Sequence, residues 1–140
     1  MTQLFELKRS SVIGMRNSGL DLLKQSLQAT TLRQEAIASN LANVNTPGFK
    51  ANQVRFESLL EKASQGTGLQ KTHPGHFGIG DAKDVQPILE KRTNSSVKED
   101  GNNVDVDMEM ANLAQNQLHY QALISQLNAQ YRRVSTVINS

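Results

Sequence analysis

No cysteine and no tryptophan occur among the 140 residues, aromatic side chains make up 4%, and only 37% of the chain is hydrophobic. The missing thiols exclude disulfides and thiolate metal sites, while fitting cytosolic and exported proteins alike. So small a stock of large apolar side chains argues against a thick globular core and favours an elongated shape, although the length suits one domain. No stretch approaches the ~18 consecutive apolar residues of a membrane span, and Met1 to Ser11 holds no apolar segment of signal-peptide type, so the expectation is a protein soluble when made. A net charge of +2 without clustered Lys and Arg leaves nucleic acid with no electrostatic footprint to bind.

What the chain does have is a pair of apolar ladders at its two ends. Met110, Leu113, Gln117, Tyr120, Ile124, Leu127, Tyr131, Val134 and Ile138 alternate spacings of three and four, which lines them along one stripe of a helix. Leu20, Leu23, Leu27, Thr30, Gln34, Ile37, Leu41 and Val44 repeat the pattern near the start. One stripe cannot bury itself, so the spacing predicts a mainly α fold in which the terminal helices pair as an antiparallel coiled coil, or pack against copies in an assembly. Gln34 and Gln117 interrupt the ladders, either as tolerated polar residues at an open seam or as buried amides that fix the pairing register.

Charge is absent from Met110 to Tyr131, a stretch with eight Asn and Gln, and again from Ala36 to Phe49. A free two-helix coiled coil normally carries charges on its outer faces. Amide and small side chains are less costly to desolvate than ions, so these faces suit contact with neighbouring subunits.

Three segments follow: an N-terminal helical segment over 1–49, an irregular middle over 50–103 and a C-terminal long helix over 104–140. Gly14 and Gly19 argue against one continuous helix from the start into the first ladder. The helix should stop at Asn45-Thr46-Pro47-Gly48, because Pro47 disfavours the helical region for Thr46 and Pro-Gly suits the centre of a type II turn. The middle holds two of the three prolines and six of the nine glycines, with a helical turn expected over Phe56 to Ala63 and short β structure over Val85 to Leu89. Thr93 to Asn103 is polar enough for a loop or a disordered run. Asp105, Asp107 and Glu109 mark the start of the last helix and Arg132 and Arg133 lie toward its end, both matching the helix dipole.

Candidate reactive groups read as structural. His73 and His76 flank Pro74-Gly75 but have no Cys, and no Asp or Glu nearer than Asp81, to complete a metal site. The acidic trio lacks the calcium-loop pattern and is assigned to helix capping. Gly66-Thr67-Gly68 lacks the Lys-Ser/Thr of a phosphate loop. No catalytic centre, cofactor site or metal site is expected.

The run from Leu32 to Ala51 resembles the signature of flagellar basal-body rod and hook proteins, on Asn40, Ala42, Asn43, Thr46, Pro47, Gly48 and Phe49. The Thr72-His73-Pro74-Gly75-His76 element and Gly101-Asn102-Asn103-Val104-Asp105 are similar to the B-type subunits of the proximal rod. The C-type subunits, of similar length, carry an Arg before the Tyr of the last helix, where this chain has His119-Tyr120. The resemblance implies a non-enzymatic subunit, exported unfolded without a cleaved signal and polymerised through its terminal helices into the drive shaft that transmits motor torque. It further implies partners among copies of itself, other rod proteins and the membrane ring, export gate or adaptor at the rod's base, and a place in the basal body where the rod crosses the periplasm. It also implies that Phe49 seats against a neighbouring subunit. A helical secretion adaptor or chaperone is the alternative class.

Overall fold

A computed structural model describes residues 2–65, 84–93 and 98–138, and the side chains within 19–65, 84–93 and 98–136. The elements run α1 (Thr2–Ala42), β1 (Asn52–Arg55), α2 (Glu57–Ser64), β2 (Ile88–Lys91) and α3 (Val106–Ile138). The His73 to His76 element and the Gly66 to Gly68 turn lie outside the described residues.

The fold is mainly helical. At about 1.5 Å per residue, the 41 residues of α1 and the 33 of α3 make rods of roughly 60 and 50 Å. Asn40 meets Glu109, while Thr30 and Gln34 meet Asn116, so the helices pair antiparallel. The expected break at Gly14 and Gly19 does not occur, for α1 runs through both. A glycine inside a helix costs about 1 kcal/mol relative to alanine, which burdens a helix of this length without stopping it.

α1 is the spine because it packs on two sides. Successive residues point about 100° apart around a helix. Ala29 therefore joins Phe56 and Leu59 of the α2 segment and Val85 in a small apolar cluster, while Thr30 turns its backbone carbonyl to α3. Arg33 ties α2 to this spine, its Nη2 donating to Glu57 Oε1 at 2.8 Å and Oε2 at 2.9 Å.

β1 and β2 pair antiparallel, with Asn52 opposite Lys91 and Arg55 opposite Ile88. The short strand expected at Val85 to Leu89 thus begins three residues later. Pro87 has no N–H for a ladder, and Val85 is buried in the α2 cluster instead. Asn52 to Arg55, which carries only one β-branched residue, was not expected to be a strand.

The buried face of α3 differs from its apolar ladder. Glu109, Asn116 and Leu123 are the buried residues, at intervals of seven, and half-buried Gln130 continues them. Leu113 and Leu127 stay half-buried beside this seam, whereas Met110, Gln117 and Tyr131 lie one position further round the helix and are exposed. The helix pair is present, with buried Glu109 and Asn116 alternating with apolar residues such as Leu123 along α3 and Leu23 and Ile37 along α1. Arg132 and Arg133 also stand short of the last turn of α3, which holds no basic residue, so they do not cap its dipole.

Candidate functional site

The C-terminal end of α1 must deal with backbone carbonyls that have no helical partner, and asparagine side chains do most of this. Asn43 N–H bonds back to the Ser39 and Asn40 carbonyls, and its Nδ2 donates to Ser39 O at 2.8 Å. Beyond it, Phe49 N–H donates to Thr46 O at 3.2 Å, and Gly48 has φ +71°, as a Pro-Gly type II turn requires. Gly48 N–H then reaches Asp100 O at 2.9 Å, so the turn is fastened to the chain that enters α3.

That entry segment is folded around the turn. Gly101, at φ +80°, sits back to back with Gly48, so that a Cβ on Gly101 would lie 3.8 Å from the Gly48 Cα. Asn102 has no exposed surface; its Nδ2 donates to the carbonyls of Asn43 (2.9 Å), Val44 (3.2 Å) and Thr46 (2.8 Å), while its Oδ1 accepts from Val104 N–H. Lys98 Nζ donates to Val44 O and Lys50 Nζ to Gly101 O. Cations at the negative end of the α1 dipole are favourable.

Two further asparagines stand in for a strand. The Asn40 side-chain amide accepts from Asn52 N–H at 2.7 Å and donates to Asn52 O at 2.8 Å, so α1 holds the first residue of β1 as a neighbouring strand would. Asn103 accepts from Ala51 N–H through Oδ1 and donates to Arg92 O through Nδ2, while Arg92 N–H donates to Ala51 O. This bridge extends the strand pair by one position, from Asn52 and Lys91 to Ala51 and Arg92. This explains a strand that propensity does not favour.

Asp105 then starts α3 as its N-cap, its Oδ1 accepting from Asp107 and Met108 N–H at 3.0 and 3.2 Å. The expected capping role thus falls to Asp105, with Asp107 in the first turn. Glu109 is different: it is buried, accepts from Asn40 Nδ2 at 3.1 Å and has Arg92 Nη2 at 3.7 Å.

Of the expected pairing residues, Leu23 and Ile37 are buried, and Leu27, Leu41, Val44, Leu113, Ile124 and Leu127 are half-buried. Gln34 and Gln117 are exposed along one shallow groove shared with Tyr120. The buried amide on α3 is Asn116, one residue earlier, whose Nδ2 donates to Thr30 O at 2.9 Å. Tyr120, Tyr131 and Val134 are exposed. In the turn motif, Asn40 is buried, Asn43 and Phe49 are half-buried, and Ala42, Thr46, Pro47 and Gly48 are exposed. The Phe49 ring lies under Lys91 of β2, with the ammonium 5.6 Å from its centre.

Among the described residues no cluster of three or more acidic, His or Cys groups could hold a metal, and no helix is long and apolar enough to cross a membrane. The Asn40 to Phe49 motif and the Gly101 to Asp105 run together form the hydrogen-bonded joint.

A family model described as flagella basal body rod protein matches residues 24–50, the ladder and turn of α1. The chain is also 37% identical over 116 residues to the flagellar basal body rod protein FlgB of Bacillus subtilis, covering 83% of this chain and 89% of that protein. It is 39% identical to FlgB of Borrelia hermsii, over 85% and 94% of the two chains, and 30% identical to FlgB of Escherichia coli, over 89% and 95%. The chain belongs to the FlgB family of flagellar basal-body rod proteins. Among the described residues that carried the resemblance, Asn40, Asn102, Asn103 and Val104 are buried in the joint, while Ala42, Thr46, Pro47 and Gly48 are exposed. Asn102 and Asn103, read from sequence as the end of a polar loop, are among its most buried residues. Their side-by-side placement before a helix-capping Asp was the available signal.

Proposed function

We propose that the chain is a non-enzymatic structural subunit of the proximal flagellar rod, exported unfolded and polymerised through its terminal helices into the shaft that transmits motor torque. The observation that carries this reading is the uncovered apolar surface of α3. Met110, Leu118, Tyr120, Tyr131 and Val134 are large apolar residues left exposed on a helix that has no charged residue between Met110 and Tyr131. Exposed apolar surface of this kind is unfavourable in water, and closure by neighbouring subunits removes apolar area worth about 25 cal/mol per Å². The partners are copies of the chain and other rod proteins, with the ring, export gate or adaptor at the rod's base.

Imaging purified basal bodies from cells with and without the gene tests this. The rod should be absent or truncated without it and restored by the intact gene. Normal rods and motility in the deletion strain end the reading, as does a product that stays folded and alone in the cell body.

A further inference from the structure

The strand pair has two outer edges, and the chain treats them differently. Opposite residues of an antiparallel pair alternate between exchanging both backbone bonds and exchanging none. Arg92 N–H donates to Ala51 O at 2.8 Å and Asn52 stands opposite Lys91. Arg92, Glu90 and Ile88 therefore turn their backbone groups to the β1 side, while Lys91 and Leu89 turn theirs away. The same alternation sends the N–H and C=O of Asn52 outward on β1, where the Asn40 amide meets them at 2.7 and 2.8 Å. On the β2 edge, the outward backbone groups of Leu89 and Lys91 meet no partner among the described residues.

Water satisfies such groups in the free chain, but the side chains beside them suit an added strand. Ile88 and Leu89 are 51% and 48% exposed, one on each face of the pair, and Lys91 is exposed above the Phe49 ring. An open edge with uncovered aliphatic residues is a template for pairing, in which main-chain bonds supply affinity and alternate side chains supply choice. Glu90 is already engaged by Gln53 and Arg55, so the choice falls to Leu89 and Lys91. The β2 edge of a second copy is a poor fit. Antiparallel pairing of two such edges centred on Leu89 sets Pro87, which has no N–H, against Lys91. Centred on Glu90 it opposes two carboxylates, and centred on Lys91 two ammonium groups.

We propose that β2 accepts a third, antiparallel strand from a different polypeptide of the rod, an extended segment with an apolar residue opposite Leu89 and an acidic one opposite Lys91. This rests on the rod function above and adds a surface through which it works.

Proline distinguishes the two sides of β2, because it removes an N–H and is tolerated in an edge strand where that N–H points outward. Leu89→Pro should keep the parent's denaturation midpoint in the isolated chain and yet enter purified rods at least about tenfold less, since a carbonyl of the incoming strand loses its donor. Glu90→Pro removes an N–H that faces β1 and should lower the midpoint. Lys91→Glu leaves the backbone intact and should also reduce incorporation. A midpoint for Leu89→Pro as low as that of Glu90→Pro, or parental incorporation of Leu89→Pro or Lys91→Glu, overturns the added strand. With Leu89 replaced by photoreactive benzoylphenylalanine, irradiation of purified basal bodies should join the chain to a different rod protein. Attachment only to a second copy, only within its own chain, or to nothing overturns the proposal as well. While the unsubstituted chain is found in the rod, these outcomes fail the strand alone. Its absence from purified rods fails the rod function and takes the strand with it.

Discussion

The joint at one end of the helix pair and the outer face of α3 have opposite solutions to burial. At the joint, Asn40, Asn102 and Asn103 have no exposed surface and answer backbone groups from four parts of the chain. Along α3, Met110, Leu118 and Tyr131 remain at least half exposed. The joint is thus held by polar side chains, while these apolar residues of α3 keep much of their surface open. A hydrogen-bonded joint specifies one geometry, because each amide accepts only partners in the right direction. An apolar stripe imposes no such direction and can pack against several neighbours.

The largest break in that contrast should come from Asn102. Alanine there leaves the Asn43, Val44 and Thr46 carbonyls without this donor and Val104 N–H without its acceptor, and each lost bond or orphaned group is worth about 1–3 kcal/mol. Unfolding by denaturant should show at least about 3 kcal/mol of destabilisation for Asn102→Ala, against less than about 0.5 kcal/mol for Tyr131→Ala in the isolated chain. On the proposed assembly through α3, rod incorporation should reverse part of that ranking. Equal losses for both in the isolated chain would erase the distinction.

Gly48 tests the same joint through backbone strain alone. Nothing lies within 4 Å of a Cβ placed there, so any penalty comes from φ +71° and not from a clash. The left-handed region costs an ordinary L-residue about 1–2 kcal/mol, more for a β-branched side chain and less for asparagine. Gly48→Val should therefore lower stability by at least about 2 kcal/mol, and Gly48→Asn by under about 1 kcal/mol. Matching values from the two melts would mean the turn is not held as described, and normal rod assembly by Gly48→Val would show that the turn is dispensable.

Much of the architecture was legible from the residues. The last helix, the part of α1 from Leu20, the stop near Asn45-Thr46-Pro47-Gly48 and the short helix after Phe56 follow from spacing and turn chemistry, which are local, whereas the run of α1 back to Thr2 does not. The seam was not, for a physical reason. Periodicity marks where apolar residues lie, and in α3 several of them, Met110, Tyr120, Tyr131 and Val134, are exposed, while the positions turned to α1 include Glu109 and Asn116. Their partners, Asn40 and the Thr30 carbonyl, are 69 and 86 residues away. β1 was hidden for the same reason, since distant side-chain amides and not β propensity fix its start.

Asn116 and Gln117 sharpen this point at a single step of sequence. Asn116→Ala removes a buried donor to Thr30 O and should cost about 1 kcal/mol in the isolated chain. Gln117→Leu, at an exposed position, should change stability by less than about 0.5 kcal/mol. The effect of Gln117→Leu belongs to assembly, where a change in rod length or order would register it. Thermal melts of the two variants decide which residue lies in the intrachain seam.

The smallest effect concerns the contact that fastens α2 to α1. Partial burial pushes the Glu57 carboxyl up, but the hydrogen bond with its own backbone and the bonds and charge of Arg33 outweigh that, with a lesser pull from His119, and its pKa is lowered. A carboxylate with a lowered folded-state pKa contributes stability that is complete above its unfolded value of about 4.3 and is lost as the pH falls through the folded value. Acid unfolding should therefore include a contribution in the window just below about pH 4.3 that vanishes in Arg33→Ala. The Glu57 side chain is 58% exposed, so solvent screening holds the contribution to about 0.2–1 kcal/mol, less at high salt. An acid limb of stability that is identical in Arg33→Ala and the parent, measured by denaturant melts at pH 3 to 5, would show that α2 is held by Phe56 and Leu59 alone and that the ion pair adds nothing to the packing.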